Sequence, residues 1–199
     1  MSVIIAMGLF SLSMSISPGP VNLIALTSGV NSGFRRAMPF VSGATIGFTL
    51  LLSVVGLGVG VFVAESPLFL GLLGYLGTGF ICYMGYKIAT STPEIKVASQ
   101  RVPSFSQGFL LQWLNPKAWI ACLSGVSAFN LAGSYLMLAV FIGLYFVICY
   151  VSIASWALVG DKIQRFLLNE RYLRVFNTSM GGMLMLVALY LLGLQFYTV

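Results

Sequence analysis

Long apolar runs separated by isolated charges set the pattern of this 199-residue chain. The runs extend from Met1 to Phe34, Ala37 to Ala64, Ser66 to Tyr86, Val102 to Pro116, Ala118 to Gly160 and Val175 to Val199. A helix crossing the hydrocarbon core of a bilayer needs about 20 mostly apolar residues, and the fifth run is too long for one. It is broken by the polar, glycine-containing stretch 130–134 (NLAGS), which divides it. Phe105 to Phe129 then reads as one span across Lys117, and Tyr135 to Leu158 as the next. The pattern predicts six helices, over 3–30, 38–63, 67–88, 107–129, 135–158 and 175–196. The fold class is therefore an all-α integral membrane protein with six transmembrane helices.

Composition narrows the chemistry. Only 7% of residues are charged, against about a quarter in a soluble domain, so no separate soluble catalytic domain fits. Histidine is absent and the carboxylates are Glu65, Glu94, Asp161 and Glu170, which removes His-based acid–base work and nearly every metal site. No catalytic residue, cofactor or metal is expected. Cys82, Cys122 and Cys149 lie singly in different spans and read as small apolar fillers. An intramembrane enzyme would need a Ser-His, paired-Asp or paired-Cys constellation, and none is present.

The net charge of +6 matters through its placement. Arg35 and Arg36 follow the first span, Glu65 the second, and Lys87, Lys96 and Arg101 the third; Lys162, Arg165, Arg171 and Arg174 follow the fifth. Basic and non-basic connections alternate, which the positive-inside rule reads as cytoplasmic basic loops with both termini outside. The proline-rich interior of helix one leaves a re-entrant first segment as the alternative. No loop holds the dense Lys/Arg cluster that nucleic acid would require, so the partners expected are membrane lipid and a small solute. The first segment lacks a basic n-region and an A-x-A site and reads as a helix rather than a signal peptide.

Set against itself at an offset of 96, the chain aligns PVNLIALTSGV (Pro20 to Val30) with PKAWIACLSGV (Pro116 to Val126), six identities in eleven. At the same offset Gly47 meets Gly143, and Met84-Gly85 meets Met180-Gly181. Three spans per copy make the copies face opposite ways, so the helices form two inverted three-helix repeats, residues 1–90 and 107–199, joined by a cytoplasmic connector at 91–106. Inverted repeats with interrupted helices near the midplane mark secondary transporters. Helices one and four are the interrupted ones, at Ser17-Pro18-Gly19-Pro20 and, more mildly, at Asn115-Pro116.

These breaks collect the candidate site. Lys117 is the one charge within a span, and a charge at that depth is costly enough to imply function; it can pair with a carboxylate or exchange a proton. Ser17, Asn22, Gln112, Asn115 and Ser124 add hydroxyls and amides. Pro18, Gly19, Pro20 and Pro116 shape the breaks, and Gly47, which recurs as Gly143, is expected to line the pathway. Such a set suits a small zwitterion. The glycine pattern (Gly43-x-x-x-Gly47, Gly71-x-x-Gly74-x-x-Gly77, Gly181-Gly182) favours close helix packing and allows a homodimer.

These residues resemble the LysE/RhtB family of bacterial amino-acid exporters: S-P-G-P in helix one, G-F-R-R-A (Gly33 to Ala37), Gly43-x-x-x-Gly47, a polar central loop and W-L-N-P-K-A (Trp113 to Ala118), in order over nearly the whole chain. The resemblance implies efflux of an amino acid or derivative across the inner membrane in exchange for a proton. Exporters of lysine and arginine in that family tend to carry Asp at the positions of Gly47 and Ala121, where this chain is uncharged, so a neutral cargo is implied. Segments such as KIATSTPE (Lys87 to Glu94) look most like cysteine and O-acetylserine exporters, with threonine/homoserine exporters close behind. A channel, an ion or metal efflux protein and a dibasic amino-acid exporter are the competing readings.

Overall fold

The computed structural model describes residues 3–59, 66–91, 102–131, 133–167 and 169–198, and among these there are helices and no strand. Eight α-helices follow in order: α1 (Val3–Ile16), α2 (Pro20–Ser32), α3 (Phe34–Val54), α4 (Pro67–Ala89), α5 (Phe105–Trp113), α6 (Pro116–Ala128), α7 (Tyr135–Gln164) and α8 (Glu170–Thr198). Helices α3, α7 and α8 are long and apolar enough to cross a membrane, and α1 with α2, bent by 60° at their junction, makes a fourth such unit. The other two expected spans correspond to α4 and to the pair α5 and α6. Helix α4 has 23 predominantly apolar residues, about 35 Å at 1.5 Å each. Helices α5 and α6 have 9 and 13 residues and reach spanning length only together.

Helix boundaries depart from the expected ones because a charge marks the edge of lipid and not the end of a helix. Arg35 and Arg36 lie in the first turn of α3 rather than before it, since Gly33 alone links α2 to α3. Its φ of 81° and ψ of 162° suit only glycine. Likewise α7 continues through Asp161 and Lys162, and α8 takes in Arg171 and Arg174. The far end of the expected second span, with Glu65, and most of the connector, with Lys96 and Arg101, lie outside the described residues. Where the connector is described, Ser104 opens α5 with a capping box: its Oγ accepts from Gln107 N–H while its own N–H donates to Gln107 Oε1.

The broken pairs run in opposite directions. Along α1 and α2, Phe10 lies beside Phe141, Gly29 beside Ala157, and Phe34 N–H donates to Asp161 Oδ1 at 3.1 Å. The pair thus meets α7 first at Phe141 to Ile148 and then at Ala157 to Asp161, with a 60° bend at its junction. Along α5 and α6 the order reverses, from Phe105 against Gly43 of α3 to Phe129 beside Phe10 and Phe141.

Glycine sets the closest approaches. Gly29 and Gly160 bring the backbones of α2 and α7 together, Gly43 and Gly108 those of α3 and α5, and Gly85 and Gly181 those of α4 and α8. Between them lies a core that includes Phe40, Leu51, Leu52, Leu111, Phe141, Tyr145 and Ile153. Outward-facing Leu72, Tyr75, Leu76 and Tyr83 on α4 and Val175, Met183, Leu186 and Tyr190 on α8 are exposed. So large an apolar exterior is suited to lipid and not to water.

Candidate functional site

The break after α1 leaves a helix end whose last carbonyls have no intrahelical donor. Side chains supply one for each. Ser17 Oγ donates to the Met14 carbonyl at 3.1 Å, Asn22 Nδ2 to those of Ser15 and Ser17 at 2.8 and 2.9 Å, and Trp156 Nε1 to that of Ile16 at 3.1 Å. Lys117, from the other broken pair, completes the set. Its Nζ donates to Ser17 Oγ at 2.7 Å, to the Ser17 carbonyl at 3.2 Å and to the Pro18 carbonyl at 3.4 Å. A cation there also meets the negative end of the α1 dipole.

The second break follows the same plan. Pro116 begins α6, Asn115 Oδ1 accepts from Lys117 N–H at 3.1 Å as N-cap, and Trp119 Nε1 donates to the Trp113 carbonyl at 2.8 Å. Residues 17 and 113 are 96 apart in the sequence, so the repeat-related carbonyl is held by a side-chain N–H in each half. The halves differ at the N-cap. Gly19 has no side chain to cap α2, and the first backbone bond there is Leu23 N–H to Gly19 O at 2.9 Å. That leaves the N–H groups of Val21 and Asn22 ahead of the hydrogen-bonded ladder.

A cavity of about 50 Å³ lies between the breaks. At roughly 10–15 Å³ per water it has room for about four waters, the scale of a small amino acid. Gly19, Pro20, Asn22, Gln112, Asn115 and Lys117 of the sequence-derived set line it. Asn22, Gln112 and Asn115 are buried polar groups. Ser17, Pro18 and Pro116 are not among the lining residues; the first two are acceptors of Lys117 and the third is the first residue of α6.

Gly47 is elsewhere. Contrary to the expectation that it lines a pathway, it abuts the backbone of Phe109, where a Cβ would come within 2.8 Å of the carbonyl oxygen; its job is the α3–α5 contact. Ser124 is exposed on α6 and is not part of the lining either. Sequence reasoning missed Phe48, Tyr145, Cys149 and Ile153, which form the opposite wall. Tyr145, Cys149 and Ile153 recur every fourth residue on α7, a helical stripe that was readable in principle but unremarkable within an apolar run.

The arrangement is polar at the two breaks, and its remaining wall is largely apolar apart from the Ser15 and Tyr145 hydroxyls. Carbonyls at the end of α1 attract a cation, whereas the uncapped start of α2 and the Lys117 ammonium attract an anion. A zwitterion satisfies both. Among the described residues no carboxylate lines the cavity, so a second positive charge on the cargo would find no partner, and no group of three His, Cys, Asp or Glu could hold a metal.

Residues 12–195 match the family model described as LysE type translocator. The chain is similar to the cysteine/O-acetylserine efflux proteins of Escherichia coli, Shigella flexneri and Shigella sonnei. Each is 29% identical over 189 residues, covering 90% of this chain and 92% of the relative. No solved structure matches the chain significantly.

Proposed function

The chain belongs to the LysE type translocator family, and from that premise we propose that it is a secondary exporter of small neutral amino acids or their derivatives. The cargo is of the cysteine/O-acetylserine or homoserine/threonine type, and transport is proton-coupled antiport across a bacterial inner membrane. The observation that carries the reading is the meeting of the two helix breaks at one small cavity, with Lys117 of one bonded to Ser17 of the other. In this mechanism the Pro18–Pro20 and Asn115–Lys117 segments bind the cargo, the two inverted three-helix repeats rock about them, and Lys117 is the titratable group placed to exchange a proton.

Several features support it. The broken pairs run in opposite directions, and Gly85 packs against Gly181, its own repeat mate, as residues at a two-fold axis between repeats would. The efflux function printed for the relatives, the cavity's size and the absence of a lining carboxylate favour a small neutral cargo over lysine or arginine. The test is uptake of labelled cysteine, O-acetylserine, threonine and lysine into inverted membrane vesicles. Uptake of the neutral compounds that collapses with a protonophore is expected. Preferential lysine uptake, or passive flux indifferent to the protonophore, would overturn the proposal.

A further inference from the structure

Lys117 spends all three of its ammonium hydrogens on one small cluster of oxygens. Nζ reaches Ser17 Oγ at 2.7 Å, the Ser17 carbonyl at 3.2 Å and the Pro18 carbonyl at 3.4 Å. The α-ammonium of an amino acid also has three N–H donors and one positive charge, so this cluster would accept it equally well. The cluster borders the cavity through Gly19 and Lys117. The lysine lies close against Gly19, where a Cβ would stand 3.3 Å from Nζ. Of the three oxygens, the Ser17 carbonyl keeps a second donor in Asn22 Nδ2. The Pro18 carbonyl is bonded to Lys117 alone among the described hydrogen bonds. Removing the lysine therefore uncovers an acceptor at a negative helix end, which favours another cation taking its place.

We propose that Lys117 is a tethered stand-in for the cargo's own ammonium. Between transport events its Nζ fills the subsite formed by the Ser17 carbonyl and hydroxyl and the Pro18 carbonyl. An entering amino acid puts its ammonium on those oxygens and its carboxylate on the displaced lysine. The inference rests on the exporter reading above for the identity of the cargo, but the exchange of one ammonium for another at these oxygens does not. The exchange leaves neither the helix end nor the lysine unpaired at any stage, and it makes cargo lacking either the amine or the carboxylate a poor substrate.

The test uses the purified full chain in detergent, followed by tryptophan fluorescence on heating, with ethylammonium as the probe and tetramethylammonium, which has no N–H, as the control. Lys117→Met keeps an apolar stem and empties the oxygen cluster. Ethylammonium at ten times its dissociation constant should raise the melting temperature of this variant by about 3–6 °C, with no rise from tetramethylammonium. Wild type and Lys117→Arg, whose cluster is already filled, should not respond. If Lys117→Met is too unstable to purify, ethylammonium present from solubilisation onward is expected to restore its yield. A variant that ethylammonium neither stabilises nor recovers overturns the proposal, as does an equal response from wild type. Loss of amino-acid uptake by wild-type vesicles would instead count against the exporter reading alone.

Discussion

Asn177 is fully buried inside α8, where an unpaired amide would be costly, and its bonds define a stability prediction. Its Nδ2 donates to Asn31 Oδ1 and Ser91 Oγ, and its Oδ1 accepts from Asn31 Nδ2, each at 2.9 Å. The pair fastens the end of α2 to α8 and to the residues after α4. Interhelical polar contacts in membrane proteins average about 0.6 kcal/mol, so Asn177→Ala should cost about 2 kcal/mol for three bonds. Asn31 retains its bond to the Thr27 carbonyl at 2.9 Å and is partly accessible, which keeps the penalty for its stranded oxygen small. By the scaling for soluble domains of this size, the melting temperature in detergent should fall by about 4–8 °C. In a double-mutant cycle with Asn31→Ala, the coupling should be about 1.2 kcal/mol, the two shared bonds. Replacing both by leucine removes the polar pair together and should recover most of the loss. Single effects that add to within about 0.3 kcal/mol would show that the pair does not hold the helices together.

Neighbouring glycines of α8 should respond with opposite signs. Gly181→Ala drives a Cβ into the Gly85 carbonyl and should destabilise by about 1–3 kcal/mol. Gly182→Ala meets nothing within 4 Å and should be neutral or stabilising by up to about 1 kcal/mol, both read by thermal unfolding. Gly33→Ala, at φ 81° with Asp161 Oδ1 3.2 Å from its Cβ, should cost about 1–3 kcal/mol. Asp161→Asn, which keeps an oxygen for Phe34 N–H, should cost under about 1 kcal/mol. Ala121 is buried on the cavity wall, and Ala121→Asp should raise the ratio of lysine to cysteine uptake in inverted vesicles; an unchanged ratio would detach specificity from this wall.

Much of the site was legible because the chemistry that interrupts a helix is local. Two prolines within three residues at 18–20, and one at 116, locate the breaks without any knowledge of packing, and a lone lysine in an apolar run is conspicuous. The two breaks meet in the structure where Lys117 Nζ donates to Ser17 Oγ. What escaped depends on which way a residue faces. Gly47 and Gly19 are alike in sequence, yet one is pressed on the Phe109 backbone and the other lies against the Lys117 side chain. Asn31 and Asn177 are separated by 146 positions, and neither lies near a proline, so nothing local joins them. Trp156 likewise reaches the Ile16 carbonyl from within the long apolar run of α7.

A stripe that winds around α7 ties these parts to the question of access. Phe141, Tyr145, Cys149, Ile153, Ala157 and Asp161 recur every fourth residue over about 30 Å. At one end the cavity wall passes through Tyr145 into rings that pack on one another, Phe141 with Phe129 at 5.4 Å and Phe129 with Phe10 at 5.7 Å. At the other end, beyond Ile153, α2 and α7 meet backbone to backbone at Gly29 and Gly160. The two closures differ in kind. Rings can turn aside by rotation of side chains, but two glycine-lined backbones have no side chain to move, so passage there requires α2 to separate from α7. Helix α2 is bounded by the extended break at Gly19 and by the one-residue link at Gly33, and it carries cavity-lining Asn22 near one bound and Asn31 near the other. In the proposed exporter, moving α2 away from α7 at the end where Arg35, Arg36 and Lys162 lie, the cytoplasmic end under the positive-inside rule, would act on the α2–α8 contact that Asn31 and Asn177 make, so Asn177→Ala is expected to change the rate of uptake into inverted vesicles as well as stability.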